Sequence, residues 1–119
     1  MLIKTSDIRN YLTVENVREM LSVSGSEVLW KKRPQHHFPT EASMNFFNRK
    51  WPGKPVGSFK TKSHKTVKLL NKYEFRVSDL AYIYHHGEYP ANFVIHKNMD
   101  KLNFSKENLA VAGSLNQRN

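Results

Sequence analysis

A histidine at the end of a short apolar run is the residue of this chain best suited to proton transfer. His96 follows the run Phe93-Val94-Ile95, which predicts a strand over residues 92–97. Histidine titrates near neutral pH, so its imidazole can act as general base on a water molecule. A histidine at a strand end can also be half-buried and hydrogen-bonded with no catalytic role, and the residue type alone does not separate these two interpretations.

The other five histidines show no spacing typical of a metal site. His85 and His86 are adjacent near the end of a predicted helix, lack the i, i+4 spacing of zinc-binding pairs, and favour interaction with the helix dipole. We assign no ligand partners to the three that fall in predicted loops, His36, His37 and His64. The chain contains no cysteine, which excludes disulfides and cysteine-based zinc sites.

Helices are predicted where Ser or Thr precedes apolar residues that recur every three or four positions. Three segments fit this pattern: 14–21 after Thr13, 41–50 after Thr40, and 78–86 capped by Ser78 and closed by Gly87. Residues 24–26 predict a turn, and 35–39 and 98–107 predict loops. Single strands are predicted over 27–31, 92–97 and 108–112, and two or three strands are predicted within 57–76. A short helix is predicted from residue 114 onward.

Certain residues accompany the predicted order strand, loop, strand and helix in the C-terminal part of the chain: Val77-Ser78-Asp79-Leu80, Ile95-His96, Asn108-Leu109 and the terminal Asn116-Gln117-Arg118-Asn119. With these residues, the segment resembles the nuclease core of HNH endonucleases of the bacteriophage type. The resemblance extends to Leu29-Trp30-Lys31-Lys32-Arg33-Pro34 and to residues 46–57. It implies an α+β fold: a small N-terminal helix and strand lead-in and an antiparallel sheet, followed by a ββα-metal hairpin and helix. We expect a single domain over 1–119, with a lead-in at 1–58, a small sheet at 59–76 and the HNH-like core at 77–119.

The resemblance also implies roles for particular residues. His96 matches the family's general base, and Asn108 matches the asparagine that orients the hairpin and that histidine. Asn116 or Asn119 matches a terminal residue that helps to hold the metal, which would be Mg²⁺ or Mn²⁺ in an active enzyme.

Several residues depart from the family pattern. Ile95 stands where the metal-binding aspartate belongs, and it offers no oxygen to a hard cation. Ser78 and Asp79 replace a His-Arg pair, and Met99 replaces a loop glycine at a position that requires a positive φ angle. Asp100 or Asp79 would be a substitute metal ligand; the alternative is that Asp100 is a solvated loop residue and Asp79 an acid favoured by its helix dipole.

The charge of the chain favours a polyanionic partner. Lys and Arg number 19 against 10 Asp and Glu, which gives a formal net charge of +9, and such an excess on a small chain predicts nucleic-acid binding. A solubilising charged surface is the alternative. We assign phosphate contacts to Lys31, Lys32, Arg33, Arg49, Lys50, Lys54, Lys60, Lys62 and Arg118.

Three functions follow from these observations. The first is an HNH endonuclease-like protein that binds double-stranded DNA and is catalytically impaired by Ile95, so that no cofactor is firmly predicted. The second is an active nicking endonuclease that uses His96 with substitute ligands, and the third is a phage effector that inhibits a host protein. No apolar run spans a bilayer and residues 1–7 lack a signal-peptide core, so we expect a cytoplasmic protein, in the host cell if phage-encoded.

Overall fold

The computed structural model describes residues 12–59, 64–69 and 73–112. The predicted C-terminal helix lies outside these ranges. Five residues with predicted roles also lie outside them: Lys60, Lys62, Asn116, Arg118 and Asn119.

The described chain begins with a helix that leads directly into a hairpin. Helix α1 (Val14–Met20) starts at Thr13, whose hydroxyl accepts a hydrogen bond from the Asn16 amide at 3.0 Å. Strands β1 (Leu21–Ser24) and β2 (Glu27–Trp30) then pair antiparallel across a tight turn. The sequence predicted β2 but placed Leu21 in the helix, because Leu21 continues the apolar face of α1; β1 was therefore missed.

A second helix packs beside this hairpin. A 3₁₀ turn, η1 (Gln35–His37), precedes helix α2 (Glu41–Lys50), which is capped by the Thr40 hydroxyl as predicted. The Trp30 and Phe47 rings meet edge to face with centroids 5.2 Å apart, which holds α2 against β2.

A three-stranded antiparallel sheet follows. Its strands lie in chain order as β3 (Ser58–Phe59), β4 (Lys65–Leu69) and β5 (Tyr73–Arg76). Gly57, immediately before β3, has φ +76°, and a Cβ there would lie 2.6 Å from the Thr66 carbonyl oxygen and 2.8 Å from Val77 Cγ2. This close approach lets β3 and β4 meet the start of the next helix.

Helix α3 (Val77–His86) continues directly from β5 and ends at Gly87, whose left-handed φ of 72° and amide bond to the Ile83 carbonyl close the last turn. The N-cap is Arg76, without a side-chain cap hydrogen bond. The prediction that Ser78 caps this helix is therefore wrong, because Ser78 already lies inside the first turn.

The C-terminal hairpin pairs β6 (Val94–His96) with β7 (Leu109–Val111), so that His96 lies opposite Leu109. The connecting loop contains a 3₁₀ turn, η2 (Lys106–Asn108). Both hairpins share one core with α1 and α3, whose fully buried members include Val17, Met20, Leu21, Leu80, Ile83, Phe104 and Leu109. In the described ranges, every helix is too short or too polar to cross a membrane.

Candidate active site

His96 is held by two hydrogen bonds that define its tautomer. Its Nδ1 lies 2.9 Å from the Asn103 carbonyl oxygen, which can only accept, so Nδ1 carries the hydrogen. In the neutral ring the lone pair is then on Nε2, which lies 2.8 Å from the Ser78 hydroxyl. The Phe104 ring packs edge-on against the imidazole at 5.4 Å. The imidazole therefore directs a basic nitrogen toward the start of α3.

Asn108 fixes the loop that orients this imidazole. It is buried, its side-chain oxygen accepts from the Asn98 amide at 2.9 Å, and its side-chain nitrogen donates to the Asn103 carbonyl at 2.9 Å. The Asn103 carbonyl thus accepts from both Asn108 and His96. Asn108 and His96 meet at one carbonyl oxygen, although they lie at opposite ends of the loop in sequence.

The neighbourhood of His96 offers poor ligands for a divalent ion. Ile95 is half-buried on β6, paired with Ala110, and presents only hydrocarbon. Asp100 is exposed, and one of its carboxylate oxygens accepts from the Leu102 amide at 3.0 Å, which stabilises the loop turn. In the described ranges, His96 belongs to no group of three histidine or carboxylate ligands close enough to share an ion. These residues do not fit the hard, oxygen-rich coordination that Mg²⁺ requires.

Asp79 lies one residue after Ser78 on α3 and is half-buried. Burial raises the pKa of its carboxyl, while the nearby positive charges of Arg76 and His64 act in the opposite direction. Arg76 and His64 are therefore the residues that counteract the effect of burial on the pKa of Asp79.

One cluster of titratable side chains was not found from the sequence. Nε2 of His36 and Nε2 of His37 each lie 3.0 Å from the same carboxylate oxygen of Glu19. Our assumption that His36 and His37 have no partners is thus wrong. The partner Glu19 lies on α1, 17 residues earlier than His36, and no sequence spacing signals such a contact.

This cluster is a hydrogen-bonded network, not a prepared metal site. The Arg33 Nε–H group donates to His37 Nδ1 at 3.0 Å, so neutral His37 must carry its hydrogen on Nε2 and donate it to Glu19. A metal at Nε2 would have to displace that hydrogen and disrupt the Arg33 bond. Burial, together with the charge of Arg33, lowers the pKa of His37 to about 4, and the hydrogen bond from His37 lowers the pKa of Glu19.

Of the predicted phosphate-contacting residues in the described ranges, all but Arg33 are exposed. Five are exposed: Lys31, Lys32, Arg49, Lys50 and Lys54. Arg33 is only 6% exposed, and its guanidinium lies 4.8 Å from the ring centroids of Phe38 and Phe47 and 5.5 Å from that of Trp30. The assignment of Arg33 to DNA phosphate is therefore corrected: this side chain is an internal cation that organises an aromatic cluster.

Residues 76–114 match a protein-family model described as HNH endonuclease. The matched segment contains Ser78, His96 and Asn108 and covers about a third of the chain. Neither the curated proteins nor the solved structures include a match to this chain.

Proposed function

We propose, on the match of residues 76–114 to the HNH endonuclease family model, that the protein is HNH endonuclease-like, that it binds double-stranded DNA and that its metal-dependent cleavage is strongly impaired. The observation that carries the proposal is Ile95, an aliphatic residue next to the expected base His96, whose Nδ1 donates to the Asn103 carbonyl. We place the protein in the cytoplasm, where a nuclease-like fold meets DNA.

The general base supports a nuclease ancestry of the site. In the neutral form of the His96 ring, Nε2 is the nitrogen that can accept a proton, and the Asn103 carbonyl, which also accepts from Asn108, holds the ring in that orientation. A positioned general base contributes about 10²–10⁴-fold to a reaction rate.

The missing oxygen ligand supports the impairment. A divalent ion supplies charge neutralisation for the phosphorane-like state and for the leaving oxygen, worth several kcal/mol. Without a carboxylate from position 95, affinity for such an ion should fall. Since each 1.36 kcal/mol changes the rate about tenfold, we expect metal-dependent cleavage at least about 100-fold below that of a variant with the ligand restored.

Supercoiled plasmid incubated with Mg²⁺ or Mn²⁺ tests this directly. Ile95→Asp should increase nicking by about 100-fold or more, and the additional change His96→Ala should abolish the gain because the base is removed. Ile95→Asn is the matched control, since it introduces polarity without the negative charge. A wild-type protein that nicks efficiently and is not improved by Ile95→Asp would overturn the proposal.

An active nickase with substitute ligands is the principal alternative. Asp100 is the candidate closest to His96 in sequence, and Asp79 and Asn116 are the others. If wild-type nicking is found and is abolished in Asp100→Asn or Asp79→Asn but retained in Ser24→Ala, this alternative replaces the first proposal.

A protein-binding role is favoured by one surface feature. Four large apolar side chains around the C-terminal hairpin are 45–89% exposed: Tyr89, Phe93, Met99 and Leu102. A stoichiometric host protein captured from nuclease-treated lysate, and no longer captured by Phe93→Ser, would support inhibition of a host factor over DNA binding.

A further inference from the structure

The sequence assigns no catalytic role to Ser78. Its hydroxyl lies within the first turn of α3, half-buried, 2.8 Å from His96 Nε2. We propose that Ser78 is a nucleophile toward phosphorus that His96 activates, which gives this chain a route to strand cleavage through a covalent phosphoseryl intermediate. DNA as the substrate rests on the proposed function above, whereas the reactivity of Ser78 does not.

The geometry is that of a nucleophile, a base and an orienting group. The orienting group is the Asn103 carbonyl, which accepts from Nδ1 and leaves Nε2 as the only ring nitrogen able to take a proton. The hydroxyl that Nε2 accepts from belongs to Ser78, at a distance typical of an O–H···N hydrogen bond. Nucleophilic serines are recognised by this arrangement and not by fold or sequence order.

The surroundings of Ser78 also favour an anionic substrate. The N-cap residue of α3 makes no side-chain capping hydrogen bond, so the positive end of the helix dipole lies beside Ser78 without a side-chain cap. Lys97, adjacent to His96, is exposed. Nε of Arg76, the N-cap residue, is buried and makes no hydrogen bond to any residue of the described ranges. The carboxyl of Asp79 is the opposing negative group, and the charge of Arg76 partly balances it.

The reaction balances with water as the only co-reactant. Ser78 Oγ attacks phosphorus while its proton moves to His96 Nε2, and the bond from phosphorus to the 3′ oxygen breaks as that oxygen receives the proton. Water then attacks the phosphoseryl phosphorus, His96 takes the water proton, and the bond between phosphorus and Oγ breaks with the proton returned to Ser78. The products are a 3′ hydroxyl and a 5′ phosphate.

A fluorophosphonate probe tests the nucleophile without DNA. The full chain is incubated with the probe and digested, and modified serines are located by mass spectrometry. We expect modification at Ser78 at least about 100-fold faster than at Ser24, an exposed serine of β1 that serves as the internal control. Modification should be absent in Ser78→Ala, and it should fall about 100-fold in His96→Gln, whose amide retains a donor toward Asn103 but is not a base.

Circular dichroism of each variant establishes that it is folded. If His96→Gln does not fold, His96→Asn serves as the second variant without a base. Equal modification rates at Ser78 and Ser24, or a Ser78 rate unaffected by both His96 variants, would overturn the proposal.

A second measurement separates this proposal from DNA binding. Supercoiled plasmid is incubated with the protein in EDTA and quenched in detergent, and DNA carrying covalently attached protein is recovered. Attached DNA that disappears in Ser78→Ala supports the proposal. Plasmid that binds in a mobility-shift assay but never becomes attached or nicked overturns the covalent route and leaves the proposed function intact. Absence of any DNA binding, with Ser78 still modified by the probe, overturns the proposed function instead.

Discussion

Met99 is the only non-glycine residue of the described ranges with a positive φ, at 64°. The sequence predicted this strain, because Met stands where the related loops carry glycine. The left-handed conformation costs an L-residue about 1–2 kcal/mol. Because Met99 is 89% exposed, packing of its side chain offsets little of that cost. The backbone strain at Met99 is therefore not offset by burial of its side chain.

Met99→Gly should raise the free energy of unfolding by about 0.5–1 kcal/mol, because relief of strain exceeds the greater entropy of glycine in the unfolded chain. Urea denaturation monitored by circular dichroism measures the change. Leu102→Gly in the same loop, where φ is negative, is the control and should destabilise. A stabilisation by both variants would contradict the assignment of strain to Met99.

At the scale of single residues, the sequence predicts that His96 and Asn108 lie in one site better than it predicts which side chains contact them. The resemblance assigns His96 and Asn108 to one site, and both are bonded to the Asn103 carbonyl. It cannot indicate that Ser78 reaches His96, since these residues are 18 positions apart and a serine at a helix start ordinarily caps it. Arg33 was misassigned for a related reason: a cation in a basic cluster predicts exposure, whereas three aromatic rings from other elements bury it.

The elements were predictable where the signal is local. Thr13 and Thr40 cap their helices and Gly87 ends α3, as the sequence indicated. Strand β1 was not predictable because its first residue continues a helical apolar pattern, and only pairing with β2 makes it a strand. A helix cap is determined by three or four neighbouring residues, whereas a strand forms only where a second strand pairs with it.

Two glycines with the same backbone conformation allow the junction between the sheet and α3 to be tested. Gly57 and Gly53 both have positive φ, +76° and +86°, but a Cβ at Gly57 would collide with Thr66 and Val77, whereas nothing lies within 4 Å at Gly53. Gly53→Ala should cost about 1 kcal/mol for the backbone alone. Gly57→Ala should cost at least about 2–3 kcal/mol, because steric overlap adds to the strain.

Paired urea denaturation curves of these two variants give the comparison. Equal destabilisation of the two variants would mean that the close approach at Gly57 contributes nothing, and that the sheet can move away from α3 without cost.

The network that joins η1 to α1 predicts a pH dependence of stability. The pKa of His37 is lowered to about 4 in the folded chain, against about 6.5 when unfolded. The unfolded chain therefore binds more protons between these values, and the contribution of neutral His37 is fully present above about pH 6.5 and declines as pH falls toward 4. We expect stability to decrease by about 2–3 kcal/mol across this window.

His37→Asn isolates that contribution, because its side-chain oxygen can accept from Arg33 but does not titrate. The difference in unfolding free energy between wild type and His37→Asn should shrink by about 2–3 kcal/mol from pH 7 to pH 4. A difference that is constant with pH would show that His37 does not titrate on unfolding.

At the scale of the whole molecule, the net charge of +9 is the property most directly linked to a partner. Removing one cation that neutralises a phosphate reduces the slope of log affinity against log salt by about 0.9 for duplex DNA. Lys32→Gln combined with Lys54→Gln should therefore reduce the slope by up to about 2, with little change in stability, because both residues are exposed.

Arg33→Gln is the contrasting variant. It should lower the thermal unfolding temperature and leave the slope unchanged, because the guanidinium is buried among aromatic rings. Fluorescence anisotropy over a salt series provides the slopes. A slope altered by Arg33→Gln in a folded protein would return Arg33 to the DNA-contacting group.

The tip of the first hairpin touches the loop of the last one: the Phe104 amide donates to the Gly25 carbonyl at 3.0 Å. Phe104 also packs edge-on against His96. An excised fragment that begins at residue 76 would lack this tether together with α1, and would leave part of its interior facing water. The position of the His96 imidazole is thus linked through Phe104 to residues far upstream of the segment that contains it, and deleting those residues should disturb this position although His96 itself is kept.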